Sequence, residues 1–179
     1  MSFKYTKPTK VKEFLKAGAE NVRVSSKAME KLGQYTDCAV KNAVEDSITN
    51  LPTVGRGDTK GRFKRLTLRP SEVGAQLKSY KPQFVNMSKV LSTKQPILNV
   101  KDPLDGRKKV RIRVSDDAKK PLAKKLDQAV DDALILLIDD VLPRKTRGPS
   151  ASDGKGDLRR KTIFREDFKD FDATTCSFK

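Results

Sequence analysis

The chain has 179 residues, enough for one ordinary domain or two very small ones. Apolar residues make up 36% and aromatics 6%, so the core must be lean, whereas Lys+Arg exceed Asp+Glu by 39 to 23. The net charge of +16 suits a polyanionic partner, with solubility alone as the plain alternative; an anionic membrane surface fits poorly, because there is no Trp and no basic helix with a bulky aromatic face.

The opening residues, MSFKYTKPTKVKEF, lack the apolar segment of a secretory signal. Within them PTKVKEFLKAGAENV predicts a short helix with Val11, Phe14 and Leu15 on its apolar side and Gly18 at its end. A β-prone piece, NVRVS (21–25), comes next. Then Ala28, Leu32, Tyr35, Ala39, Ala43, Ser47 and Leu51 recur at steps of three and four, widened by Met29, Val40, Val44 and Ile48. This is one face of a long amphipathic helix over 26–51, capped by Ser25 or Ser26 and stopped by Pro52. After it lie a β-prone piece and a helix start, KRLTLRPSEV (64–73).

The pattern then repeats. A helix over 83–94, QFVNMSKVLSTK, is followed by an irregular stretch and by VRIRVS (110–115). Ninety residues after the first stripe, Ala118, Leu122, Leu126, Ala129, Ala133, Leu137 and Val141 mark a second long helix over 116–142, with Ser115 and Asp116 at its start and Pro143 at its stop. RRKTIFREDF (159–168) matches 64–73 at an offset of ninety-five, with Thr162 for Thr67 and Asp167 for Glu72. Each long helix has about 26 residues, roughly 39 Å, which is too long for short local partners but suited to mutual cover by crossing. The run ALILLI (133–138) is too short to span a bilayer.

The order short helix, strand, long helix, strand, short helix, found twice, resembles the histone family. KAGAENVRVSSKA (16–28) and RRKTIFRED (159–167) are similar to the corresponding motifs of archaeal histones, and the whole chain resembles a histone doublet. The resemblance implies an all-α fold: two tandem histone folds over 1–81 and 82–179, paired as an intramolecular handshake pseudo-dimer; the basic inserts 52–63 and 143–158 depart from the family, whose members join the long helix to the second strand tightly. It implies that Arg23 and Arg113 enter minor grooves, where a narrow groove concentrates negative potential, and that Thr162 and Thr67 brace them from the other half. Lys161 matches a phosphate-contacting lysine; Leu66 stands at that place in the first half, so Lys64 substitutes. Ser25 and Ser115 offer hydroxyl and backbone N–H groups to phosphate, with simple capping as the alternative. Lys10 and Lys12 complete the expected DNA-binding set. Arg65 with Glu72, and Arg160 with Asp167, match a structural arginine–carboxylate clamp. Basic charge gathers around the inserts, with six basic residues to one acid over 52–69 and eight to two over 143–165.

Catalysis is not expected. There is no histidine, and GRGDTKGR (55–62) lacks the Gly-Lys-Ser/Thr ending of a P-loop. The pairs Asp116/Asp117, Asp131/Asp132 and Asp139/Asp140 are sequence neighbours that diverge on a helix, so they read as solvated faces rather than metal ligands. Cys38 and Cys176 have no metal spacing and form no disulfide framework; Cys38 reads as a small buried thiol, and a reducing compartment fits. No metal or cofactor is expected. The expected partner is duplex DNA, bound, bent and compacted with little sequence preference into nucleosome-like particles. Self-association into higher-order arrays is a further expectation; a membrane or small-molecule partner is not. Such a protein works with DNA, in a prokaryotic nucleoid or cytoplasm, or in a host nucleus or virion if viral. The alternative is a histone-fold scaffold that dimerises with protein partners in a transcription or virion assembly. RNA binding is disfavoured by the scarcity of aromatics on β-prone segments.

Overall fold

The structure is a computed structural model that describes residues 3–18, 21–54, 62–101, 108–141 and 161–179. In chain order it contains α1 (Pro8–Ala17), β1 (Arg23–Val24), α2 (Met29–Thr49), β2 (Thr53–Val54), β3 (Arg62–Phe63), β4 (Thr67–Leu68), α3 (Pro70–Val73) and α4 (Met87–Val90). Then come β5 (Asn99–Lys101), β6 (Lys109–Arg111), β7 (Arg113–Val114), α5 (Asp116–Leu136), β8 (Thr162–Ile163), β9 (Phe171–Asp172) and β10 (Ser177–Phe178). The expected all-α fold of two tandem histone folds is therefore corrected. Among the described residues the chain is mixed α/β, with five α-helices and five two-stranded sheets.

The long helices form because their apolar spacing leaves one face to bury, and each buries it on the other. Leu32, Val40 and Val44 of α2 and Leu122, Leu126, Val130 and Leu134 of α5 are completely buried in one cluster that takes in both halves of the chain. The two helices run antiparallel: the Tyr35 hydroxyl donates to the Ala133 carbonyl at 2.6 Å, and Lys125 meets Asp46 at 2.8 Å. Each is somewhat shorter than its apolar stripe. A 3₁₀ turn, Ser26–Ala28, precedes α2, and α5 widens into a π-helical turn over Leu137–Val141.

The departures from the all-helical expectation lie outside this pair. The predicted helix over 83–94 shrinks to α4, because Phe84 lies in a bend, Val85 pairs with Thr6 in an antiparallel bridge and Asn86 is extended. At its far end Pro96 disfavours helix in the residue before it. The stretch read as irregular is a 3₁₀ turn, Pro96–Leu98, leading into the β5–β6 hairpin, where Val100 faces Val110. The helix after β4 ends after four residues at Gly74, and its counterpart after β8 is the 3₁₀ turn Arg165–Phe168, with the β9–β10 hairpin beyond it. The first basic insert begins and ends in the β2–β3 pair; 55–61 and the second insert, 143–158, lie outside the described residues.

Two parallel pairs join the halves. β1 lies beside β8 with Arg23 opposite Thr162 and Val24 opposite Ile163, while β4 lies beside β7 with Thr67 opposite Arg113 and Leu68 opposite Val114. This is the cross-register that the resemblance implied for the arginine and threonine positions.

Candidate nucleic-acid interface

The two strand pairs have the same backbone design. In one, the Arg23 N–H donates to the Lys161 carbonyl at 2.7 Å and the Ser25 N–H to Ile163 at 3.0 Å. In the other, the Arg113 N–H donates to Leu66 at 2.7 Å and the Ser115 N–H to Leu68 at 3.0 Å. Alternation along each strand does the rest: Ile163 and Leu68 are buried, whereas Arg23 and Arg113 are exposed. Neither guanidinium bonds to another side chain or carbonyl among the described residues. β1 feeds the start of α2 and β7 the start of α5. Since these helices are antiparallel and 21 residues long, the arginines lie at opposite ends of the pair, on the order of 30 Å apart.

The surroundings of the two ends differ. At the first, Lys161 is exposed beside Arg23, and the turn that carries exposed Lys27 packs on the turn that carries exposed Arg165. At the second, Lys64 is exposed, Leu66 stands where the first end has Lys161, and Asp116 and Asp117 are exposed at the start of α5. Asp116 pairs with Lys119 at 2.7 Å, and that hydrogen bond holds its carboxyl below the usual range. Exposed Glu166 beside Arg165 and exposed Arg69 after β4 offset part of this difference, and the two acids at the start of α5 are the main contrast between the ends.

The other expected contacts are more local. The Ser25 hydroxyl accepts the Ala28 N–H at 3.3 Å, so it caps its own turn; the Ser115 hydroxyl donates to Asp117. Both are thus engaged within their own segments. Lys10 pairs with Glu13 at 2.8 Å and Lys12 is exposed, both on α1, whose Leu15 carbonyl accepts the Val22 N–H just before β1. Thr67 and Thr162 are half-buried opposite their arginines.

The clamp is formed in the first half. Arg65 grips both carboxylate oxygens of Glu72, with one bond at 3.0 Å, and also donates to the Thr67 carbonyl at 2.5 Å. Glu72 is buried and further accepts from the Arg69 N–H and the Ser71 hydroxyl, each at 2.7 Å. The Arg65 hydrogen bond is the main cause that pulls its carboxyl down to about 2. Because Arg65 also holds the carbonyl of Thr67, the clamp fixes the strand that faces Arg113. Asp167 repeats the cap, accepting the Phe164 N–H at 2.7 Å; Arg160 lies outside the described residues.

Three positioning features were not expected from the sequence. Asp37 on α2 accepts the N–H groups of Lys4 (2.7 Å) and Tyr5 (3.0 Å) and the Thr6 hydroxyl (3.2 Å). Ninety residues on, buried Asp127 of α5 accepts the N–H groups of Gln83 (2.6 Å), Phe84 (2.9 Å) and Val85 (2.8 Å) and the Tyr80 hydroxyl (2.6 Å). Each carboxylate holds the segment that opens its half of the chain. The signal was present: an acid recurs inside the apolar stripe of both helices. Arg111 is the second feature, donating to the carbonyls of Gln95 (2.9 Å), Leu91 (3.1 Å) and Ser92 (3.1 Å), so it closes the end of α4. The third corrects the reading of Cys38 as a free thiol: Cys38 and Cys176 form a disulfide, with a Cα–Cα distance of 5.4 Å across 138 residues of sequence. Nothing in the spacing of two cysteines so far apart signals their contact.

No group of three or more potential metal ligands occurs among the described residues, and no helix among them is long and apolar enough to cross a membrane. Comparison with models of known protein families, with curated proteins and with solved structures finds no match.

Proposed function

We propose that this protein binds, bends and compacts duplex DNA with little sequence preference, as members of the histone family do. The observation that carries this reading is the pair of exposed, unengaged arginines in one repeated backbone setting at opposite ends of the α2–α5 pair, in a chain of net charge +16. Each guanidinium is a planar, permanent cation on a strand whose partner is pinned from the other half, a suitable probe for a minor groove. Lys161 and Lys64 beside them supply phosphate contacts that fix position without reading bases. The role is architectural and involves no catalysis. Such a protein works wherever the DNA is: in a prokaryotic nucleoid or, if viral, in a host nucleus or virion.

The test is a binding titration on two duplexes of unrelated sequence across a range of salt. Each neutralised phosphate releases counterion, so a set of several cations gives a logarithmic slope steeper than about −3, with similar affinity for both duplexes. A flat response, or strong preference for one short sequence, contradicts the reading.

A second reading, a scaffold for protein partners, is favoured by one observation. A groove of about 760 Å³ lies over the helix crossing, floored by Ala39, Ala43, Ala129 and Ala133, and Ile135 and Leu136 of α5 are exposed. Co-purification of one stoichiometric protein partner in place of DNA would select it.

A further inference from the structure

The β9–β10 hairpin is short. Its strands are two residues each, paired Ser177 with Asp172 and Phe178 with Phe171. An isolated pair of this size is marginal in water. Among the described residues, two kinds of contact attach it to α2 and its surroundings. One is aromatic: Phe171 and Phe178 lie 5.5 and 5.8 Å from Tyr35 of α2, and each lies 6.3 Å from Phe168. The other is covalent, the Cys38–Cys176 bond from the middle of α2 to the hairpin's turn. Cys176 has φ of 55°, a left-handed conformation that a residue with a Cβ rarely adopts, so the tether holds a backbone shape that the free chain disfavours. Exposure is uneven: Cys38 is buried, Cys176 half-buried. Both cysteines and Tyr35 also line the groove over the helix crossing.

We infer that the Cys38–Cys176 disulfide is a redox-controlled latch that keeps the C-terminal hairpin on α2 and, when reduced, releases it and uncovers the aromatic wall around Tyr35. The chemistry is thiol–disulfide exchange. A thiolate of an external thiol attacks Sγ of Cys176, the more accessible sulfur, forming a mixed disulfide and expelling the Cys38 thiolate, which takes up a proton. A second external thiolate attacks the sulfur of the external thiol, and Cys176 leaves as a thiolate that is protonated in turn. Two electrons thus pass from two external thiols, which become a disulfide, to the protein, which gains two thiols. Closure is the reverse, with an external disulfide as oxidant. The hairpin meets the core at its edge, through Phe171 and Cys38, while Leu32, Val40 and Val44 of α2 and Leu122, Leu126, Val130 and Leu134 of α5 bury one another independently of the bond, so the proposal requires the opening to be local. The latch is independent of DNA binding and stands or falls separately from it.

The test uses the full chain, equilibrated with oxidised or reduced glutathione and monitored by amide exchange with mass-spectrometric readout and by far-ultraviolet circular dichroism. Thiol titration should count no free thiol in the oxidised sample and two in the reduced one. Reduction should speed exchange at 171–179 by at least tenfold and leave α2, α5 and the helical signal unchanged. Cys176→Ser should match the reduced protein and no longer respond to glutathione. Free thiols in the oxidised sample overturn the latch. So does hairpin exchange that is the same in both states. Loss of the helical signal on reduction also overturns it, since the bond is then a staple for the whole fold and not a latch for one hairpin.

Discussion

Arg23 and Arg113 share a backbone setting but not an electrostatic one. Lys161 and Lys27 stand near the first, while Asp116 and Asp117 come three and four residues after the second. Phosphates approaching Arg113 meet two carboxylates that have no counterpart at Ser26 and Lys27. Arg23→Ala should therefore cost more DNA affinity than Arg113→Ala, on the order of tenfold for the first, as expected for one charge-assisted contact. Asp116→Asn combined with Asp117→Asn should raise affinity by a factor of about three at low salt, a gain that fades as the Debye length shrinks. Titrations of all three variants at two salt concentrations check both expectations; equal losses at the two arginines would contradict the asymmetry.

Glu72 makes a prediction about acid. Its carboxyl is buried and held at about 2 against an ordinary 4.5, mainly by Arg65. The folded state therefore binds the proton more weakly than the unfolded state. The stabilisation is complete above about pH 4.5 and is lost as the pH falls towards 2, and the shift corresponds to on the order of 3 kcal/mol. Glu72→Gln should lower the melting temperature at pH 7, and the gap between variant and parent should close between pH 4.5 and 2. A gap that does not change over that window would show that the carboxylate's charge is not what matters.

At the scale of elements, the long helices were legible because their period is long enough to repeat many times. The stripe from Ala28 to Leu51 and its copy from Ala118 to Val141 mark both α2 and α5 to within a turn or so at each end. The cross-strand register of Arg23 with Thr162 and Arg113 with Thr67 came from the resemblance to the histone family, since recurrence of the two residue types does not by itself say which half each pairs with. The hairpins were not, since strands of two or three residues such as Thr53–Val54 and Asn99–Lys101 cannot show alternation. The short flanking helices were overestimated for a related reason. A proline or an acid in a first turn signals a start, but extent depends on the residues beyond that turn, and neither Gly74 nor Asp172–Thr175 supports another one. Asp37 and Asp127 show a different limit. An acid in an apolar stripe looks like a flaw until the chain segment it holds is seen. Asp127→Ala would leave the N–H groups of Gln83, Phe84 and Val85 without their acceptor, two of them buried, and should cost on the order of 3–5 kcal/mol. Asp37→Ala should cost less, because Asp37 is only half-buried and its bond from Lys4 is exposed. Chemical denaturation of the two variants ranks them; a larger loss for Asp37→Ala would contradict this.

For the whole molecule, one core serves both halves, and each half supplies the strand that supports the other half's arginine. This mutual support ties both ends to one core about as long as one of its helices, and under the proposed function such a frame would bend a stiff duplex and not merely neutralise it. Under the proposed function, bending, more than attachment, should require both ends at once. The most direct measurement is ring closure of a DNA fragment shorter than the persistence length, ligated with the parent protein, Arg23→Ala, Arg113→Ala and the double variant, each at saturating concentration. The proposed function predicts that the parent accelerates closure at least tenfold, that each single variant loses much of this while still coating the DNA, and that the double variant loses nearly all of it. If the double variant closes rings as well as the parent, the arginines are not groove anchors and the proposed mode of binding is wrong.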